Sequence, residues 1–122
     1  MAIATLGAVA LDCADARGLA EFYQRLLGGE IHDGDDDDWV ELVGHGGTTL
    51  AFQQVPGHTA PTWPEGDVPQ QAHLDLRVAD LDAAQAEVVA LGARVLDPGS
   101  PDRIWRVYAD PAGHPFCLVA ND

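Results

Sequence analysis

The chain has 122 residues and a formal net charge of −14, because 20 Asp and Glu face only six basic residues, all of them arginine. A hydrophobic content of 47% suits a globular chain with its own core. The acidity argues against a nucleic-acid or anionic-membrane partner, since phosphates require a basic surface. No apolar run approaches the length of a membrane helix, the first residues lack the basic start of a signal peptide, and two distant cysteines make no disulfide framework. We therefore expect a cytoplasmic protein.

The two halves of the sequence share one pattern. Residues 8–33 match residues 73–97 at a spacing of 65 positions, which falls to 64 after the helix, so that Asp15 corresponds to Asp80 and Asp33 to Asp97. Each half begins with a strand of alternating apolar residues, continues with a helix that ends at glycine, and returns as a second strand. The pattern indicates an internal duplication.

Helix signals are present in both halves. Asp15 is a good N-cap residue, and Gly28 supplies a helix stop. Asp80 and Gly92 have the same roles in the second half, where alanines fill much of the apolar stripe. The stripe of the first helix has the spacing i, i+3, i+4, i+7 and i+8 and consists of Leu19, Phe22, Tyr23, Leu26 and Leu27.

Each helix is followed by hairpin signals. The Gly-His-Gly-Gly turn at 44–47 and the Asp-Pro-Ala-Gly turn at 110–113 supply the backbone angles that tight turns require. Each half is therefore predicted to be a βαβββ module. The strands predicted to flank the two turns are residues 39–43 and 48–55 in the first half, and residues 103–109 and 115–120 in the second half.

The predicted organisation is an α+β fold built from two modules. The first module comprises residues 1–55 and the second residues 70–122, and together they form one compact domain. Residues 56–69 contain four prolines and are predicted to be an extended linker. The acidic run at 35–38 is predicted to be a solvated turn, because its spacing does not match a calcium-binding EF-hand loop.

A tandem βαβββ unit with Asp-Pro-x-Gly-His-x-Phe before its last strand resembles the vicinal oxygen chelate superfamily, which includes glyoxalase I, extradiol dioxygenases, and bleomycin- and fosfomycin-resistance proteins. Small bacterial glyoxalase-like proteins are the most similar members. The resemblance implies a curved mixed sheet around a cavity and a homodimer. It spans nearly the whole chain outside the linker and depends on LDCADARGLAEFYQRLLGG, HLDLRVADLDAAQAEVVALGARVLD and WRVYADPAGHPFCLV.

Strand alternation predicts which side chains face that cavity. Leu74, Leu76 and Val78 need to pack on the helix, so His73 and Asp75 are expected to face the opposite side. The repeat extends this argument to the first half. The candidate cavity-facing and ligand-binding residues are Ala8, Asp12, Trp39, Ala51, Gln53, His73, Asp75, Arg77, Arg106 and Cys117.

The resemblance places the four metal-ligand positions of the superfamily at Ala8, Ala51, His73 and Cys117. Two alanines cannot bind a metal, and His73 with Cys117 falls short of the three or so protein ligands that a catalytic site needs. We therefore expect no catalytic metal, the alternative being a divalent ion such as Zn, Ni, Mn or Fe. A different geometry would bring in three further polar residues of the same face: Asp12, Gln53 and Asp75.

The remaining polar residues leave alternatives open. His73 is a hydrogen-bonded strand residue, a ligand contact or a metal ligand. Cys117 is a reactive thiol only if a cation lowers its pKa, and is otherwise a passive side chain. The charged residues of the expected cavity face form ion pairs or orient a guest, and Trp39 and Trp63 belong to stacking walls or to ordinary packing.

The expected function is the binding of a small molecule, a drug or a metabolite, in a cavity and without a catalytic metal. The acidic chain favours a cationic or neutral, partly aromatic guest. The alternative is a metal-dependent lyase, isomerase or dioxygenase with an atypical ligand set around His73. A module that only dimerises is a third interpretation. The sequence identifies no catalytic residue.

Overall fold

The computed structural model describes residues 2–34 and 37–120. The chain divides into two compact units, Met1–His58 and Thr59–Asp122. Two residues of the predicted acidic turn, Asp35 and Asp36, lie outside the described residues. Among the described helices, none combines the length and the apolar character needed to span a membrane.

The elements of the first unit are β1 (Ala8–Cys13), α1 (Ala16–Leu27), β2 (Glu30–Asp33), β3 (Trp39–Val43) and β4 (Thr49–Gln54). The elements of the second unit are β5 (Leu74–Val78), α2 (Leu81–Ala90), β6 (Arg94–Asp97), β7 (Trp105–Ala109) and β8 (Pro115–Ala120). The order βαβββ therefore occurs twice, which confirms the predicted α+β architecture and the internal repeat.

Each unit contains one four-stranded mixed sheet. The strand order is β1-β4-β3-β2 in the first sheet and β5-β8-β7-β6 in the second. In each sheet the first and last strands of the module pair in parallel, and the other pairs are antiparallel. The register of the parallel pair β5–β8 places Asp75 opposite Cys117.

α1 is attached to the first sheet by a buried apolar face. The Asp15 carboxylate accepts a hydrogen bond from the Gly18 amide at 3.0 Å, which caps the first turn. The predicted stripe then packs inward, and the ring of Tyr23 stacks on that of Phe52 with 5.7 Å between centroids. Gly28 ends the helix with a φ of 80°. The helix predicted from the stripe is confirmed.

α2 has the same cap but a thinner core contact. The Asp80 carboxylate accepts from the Ala83 amide at 3.1 Å. Val88 is the single buried residue of this helix, since the alanines of the stripe bury little surface. Beneath α2 the ring of Tyr108 stacks on that of Phe116, with 5.5 Å between centroids.

Two predicted segments differ from the structure. β7 begins at Trp105, two residues later than predicted, because the chain turns at Ser100, whose carbonyl accepts from the Arg103 amide at 3.1 Å. The predicted linker is not extended throughout. The Thr62 amide donates to the Val68 carbonyl at 2.7 Å, and the Val68 amide donates to the Thr62 hydroxyl at 2.9 Å, so this segment folds back on itself.

The turn before β8 is fixed by a buried carboxylate. Asp110 is 2% exposed and accepts from the amides of Ala112 at 2.9 Å and His114 at 3.0 Å. Gly113 has a φ of 91°, and a Cβ built on it would lie 2.4 Å from the Cβ of Ala60. The turn therefore requires glycine for two independent reasons.

We expect Gly113→Ala to destabilise the second unit, since the added methyl both strains the backbone and clashes with Ala60. Positive-φ strain alone costs about 1–2 kcal/mol, so the total loss of unfolding free energy should exceed about 2 kcal/mol. Urea denaturation measures it. Gly44→Ala is the matched control, because Gly44 has a φ of 73° and a methyl added there would meet no atom within 4 Å. An equal loss in both variants would contradict the role of the Ala60 contact.

Candidate functional site

A cavity of about 320 Å³ lies on the second unit. Its position follows from strand alternation. Tyr108 points toward α2, where its hydroxyl donates to the Gln85 side chain at 2.8 Å. The residues of β7 that alternate with Tyr108, such as Trp105, therefore face away from the helix, as do their register partners on β8. The residues that line the cavity are Trp63, His73, Asp75, Ile104, Trp105, Cys117 and Val119.

His73 is held between an acid and an aromatic ring. Its Nε2 lies 3.1 Å from the Asp75 Oδ1. Its ring is stacked on the indole of Trp63, with 5.8 Å between centroids and 10° between planes. The His73 side chain is 33% exposed and that of Asp75 61%. The imidazole is thus oriented by two partners and still reachable from the cavity.

Cys117 is a protonated thiol at neutral pH. Burial raises its pKa to about 11, and the negative charge of Asp75 and a hydrogen bond to that carboxylate act in the same direction. Arg103 opposes these effects and does not outweigh them. Because the thiolate is the nucleophilic form, this environment makes Cys117 a poor nucleophile.

Trp105 is supported by an arginine that is not itself among the lining residues of the cavity. The Arg103 guanidinium binds the Asp97 carboxylate through two nitrogens, at 2.8 and 3.1 Å, and its Nε donates to the Trp105 carbonyl at 3.0 Å. The guanidinium carbon also lies 4.5 Å from the centroid of the Trp105 ring. Arg103 therefore holds both the ring and the backbone carbonyl of Trp105. Its hydrogen bond to Asp97 lowers the pKa of that carboxyl.

Arg106 and Arg77, two of the predicted residues, are not brought into this cavity. Arg106 donates to Asp82 at 2.8 Å and to Gln85 at 3.1 Å, both on α2, so it lies on the opposite face of the sheet from Trp105. Arg77 is exposed on β5 and does not line the cavity.

The five candidates of the first unit lie on their own sheet. Gln53 pairs with Asp12 on one side and with Trp39 on the other. Trp39 donates from its indole nitrogen to Glu41 at 2.9 Å. Ala8 is partly buried on β1, and Ala51 is fully buried on β4. Their role in ligand binding stays a prediction.

Sequence reasoning missed Arg103, Asp97 and Ile104. No pattern in the sequence places the ion pair of Asp97 and Arg103 beside Trp105. Ile104 is apolar and 50% exposed in a loop, and it shows no periodicity that would assign it to the cavity.

The donor groups in the cavity fit some metals better than others. The two alanines at predicted ligand positions offer no donor. In the second unit a nitrogen of His73, an oxygen of Asp75 and the sulfur of Cys117 all lie within 4.8 Å of one another. A nitrogen, sulfur and single-carboxylate set suits zinc and similar ions, whereas calcium and magnesium prefer oxygen ligands.

Comparisons with known proteins identify the family and the fold of the chain. A family model described as a glyoxalase-like domain matches residues 8–119. No curated protein matched the chain in a sequence comparison. A solved glyoxalase/bleomycin resistance protein/dioxygenase family enzyme from Burkholderia phytofirmans PsJN is 17% identical, with 96% of this chain and 98% of that chain covered and a TM-score of 0.72.

Two further solved structures are also similar. The fosfomycin resistance protein FosX from Listeria monocytogenes is 15% identical, with 99% of this chain and 96% of that chain covered and a TM-score of 0.73. A variant of FosX was solved in complex with Mn(II) and a dihydroxypropylphosphonic acid. The antibiotic-binding protein TnmS3 from Streptomyces sp. CB03234 is 23% identical, with 100% and 99% covered and a TM-score of 0.65. At these identities the likeness shows a shared fold.

We expect Arg103→Met to loosen Trp105, because methionine keeps an unbranched apolar stem but loses the ion pair to Asp97 and the cation–π contact. Acrylamide quenching of tryptophan fluorescence should increase. Arg106→Met is the control on the other face of β7 and should leave quenching unchanged. Equal quenching in both variants would contradict the supporting role of Arg103.

We expect native Cys117 to react with iodoacetamide about 100-fold more slowly at pH 7.5 than in the urea-unfolded chain, because raising the thiol pKa from 9.0 to about 11 lowers the thiolate fraction by that factor. The native rate should rise about tenfold for each pH unit until the pH approaches 11. Peptide mapping by mass spectrometry separates Cys117 from Cys13. Native alkylation as fast as that of the unfolded chain would contradict the assignment.

Proposed function

The chain belongs to the glyoxalase-like domain family, and on this premise we propose that it binds a small molecule, a drug or a metabolite, without a catalytic metal. The guest occupies the cavity of the second unit. The observation that supports this most strongly is the lining, which combines two tryptophans and a histidine with one carboxylate.

The size and surface of the cavity suit a small planar guest. Its volume of about 320 Å³ lies at the lower end of the range of about 300–1,000 Å³ that is typical of ligand sites. Trp63 and Trp105 offer flat apolar surfaces on which an aromatic ring stacks favourably. Ile104 and Val119 add apolar contact at the remaining walls.

The charge of the lining selects among planar guests. Asp75 is the one carboxylate among the described lining residues, and no arginine is part of that lining. The positive charge of Arg103 is paired with the carboxylate of Asp97. The cavity therefore favours a neutral or cationic guest over an anionic one.

Related structures support a binding role. TnmS3 is an antibiotic-binding protein with the same fold, and FosX is a fosfomycin resistance protein. Small-molecule binding is thus compatible with this architecture, whereas fold alone assigns no ligand. A homodimer and a cytoplasmic location, both expected from the sequence, remain part of the proposal.

A metal-dependent lyase, isomerase or dioxygenase is the second candidate function, and one observation favours it: the close approach of His73, Asp75 and Cys117. A divalent ion held there would supply Lewis-acid polarisation of a guest oxygen. The residues of this chain would bind the ion, and the tryptophans would orient the guest. FosX, in a variant complexed with Mn(II), is a precedent within the fold.

The proposal is tested with three probes that share one ring system and differ in charge: N-methylquinolinium, quinoline and quinoline-2-carboxylate. A neighbouring carboxylate contributes about 1 kcal/mol in a water-exposed setting, so the cation should bind roughly fivefold more tightly than quinoline. The anion should bind most weakly. Tryptophan fluorescence titration in the presence of EDTA gives the three Kd values.

Variants locate the site. Trp105→Ala should weaken binding of all three probes by roughly fivefold, because a stacking surface is lost. Asp75→Asn should remove the preference for the cation while leaving quinoline binding unchanged. Trp39→Ala, on the first sheet, measures whether that unit contributes. Preferred binding of the anion, or no effect of Trp105→Ala, would overturn the proposal.

A further inference from the structure

A second cavity lies beside the proposed guest site on the same unit. Its volume is about 310 Å³, nearly that of the first cavity. Trp63 belongs to both linings, so its side chain is a stretch of wall that the two cavities share. We call this second space the side cavity, and the residues that line it are Thr62, Trp63, Pro64, Glu65, Leu96 and Asp97.

The side cavity is bounded by two segments that are each held by backbone hydrogen bonds. The Thr62 amide donates to the Val68 carbonyl at 2.7 Å, and the Val68 amide donates to the Thr62 hydroxyl at 2.9 Å, which closes the turn that carries residues 63–65. On the other side, residues 96–97 end β6, which pairs with β7. The cavity is therefore built by the fold of the second unit.

The charge of the side cavity comes from one carboxylate. Asp97 lines the cavity, but its charge is balanced by the Arg103 guanidinium, at 2.8 and 3.1 Å. Glu65 is exposed, and no described residue forms an ion pair with it. A cationic group that enters the side cavity thus meets an uncompensated negative charge.

The two cavities together suit a longer guest than the first cavity alone. The first cavity, at about 320 Å³, lies at the lower end of the range for ligand sites and holds an aromatic ring with few further atoms. An arm attached to that ring has to leave this space. Because Trp63 borders both cavities, an arm that passes its edge enters the side cavity, where Pro64 and Leu96 offer apolar surface for methylene groups.

We propose that the side cavity binds the protonated amine of a guest whose aromatic ring occupies the first cavity. The ligand class is therefore an aromatic ring that carries an aminoalkyl arm. The ring stacks on Trp105, the arm passes Trp63, and the ammonium group pairs with Glu65. This inference rests on the proposed small-molecule function and adds to it a second point of attachment, which selects guests by the length and the charge of the arm.

The experiment compares three probes that share one ring: N-methylquinolinium, N-(hydroxybutyl)quinolinium and N-(aminobutyl)quinolinium. The two longer probes match in length and differ in the charge at the end of the arm. Tryptophan fluorescence titration of the full chain in the presence of EDTA gives the three Kd values. We expect the aminobutyl probe to bind roughly fivefold more tightly than the hydroxybutyl probe, because its ammonium group reaches a carboxylate in a water-exposed setting.

Two carboxylates of the same turn give a matched pair of variants. Glu65→Gln should bring the ratio of the two Kd values to about one. Asp67→Asn removes the same charge two residues further along the chain, at a position outside the lining, and should keep the ratio. Asp75→Asn should weaken both longer probes alike, since Asp75 lines the first cavity. Far-ultraviolet circular dichroism of each variant checks that the fold is retained.

The outcomes separate this inference from the function on which it rests. If N-methylquinolinium binds and the aminobutyl probe gains nothing over the hydroxybutyl probe, the side cavity is overturned and the proposed function stands. An advantage that persists in Glu65→Gln, or that disappears equally in Asp67→Asn or Asp75→Asn, assigns the amine to another position and also overturns the inference. Failure of all three probes to bind overturns both.

Discussion

The parallel pairing of β5 with β8 is the constraint on which the second unit depends. It fixes the alternation of side chains, so that Phe116 and Leu118 pack toward α2 while Cys117 turns to the other face beside Asp75. A shift of one residue would exchange these two sets and place a carboxylate in the core. The chemistry of the cavity is therefore a direct product of the register that also builds the hydrophobic core.

Two arginines near the start of β7 contact different parts of the second unit. Arg103 braces Trp105 at the cavity wall, and Arg106 binds Asp82 on α2. Each guanidinium is paired with a carboxylate, and neither arginine is among the described lining residues, of which Asp75 is the one carboxylate. The lining of the cavity is therefore acidic, like the chain as a whole.

The sequence predicts the facing of side chains best in segments whose apolar residues follow one clear helical or strand period. The stripe of α1 and the alternation of β5 are such cases, and both carried over to the structure. Arg106 shows the limit. In β7 both alternating sets of residues include large aromatic or apolar side chains, so the sequence does not show which set faces the helix. The structure shows it through the hydrogen bond between Tyr108 and Gln85 on α2. The stacking of Trp63 on His73 could not be predicted from any periodic pattern, because it joins a proline-rich segment to the start of a strand.

The thin attachment of α2 has a consequence for the solvent in which the protein works. α1 is attached through a buried apolar face, whereas α2 buries only Val88 and is otherwise bound to β7 through Asp82 and Gln85. Salts that are excluded from protein surfaces strengthen apolar contacts, and all salts screen exposed ion pairs. A salt that is excluded from protein surfaces, such as sulfate, is therefore expected to strengthen the apolar attachment of α1, whereas screening by any salt weakens the Arg106–Asp82 pair that helps to attach α2.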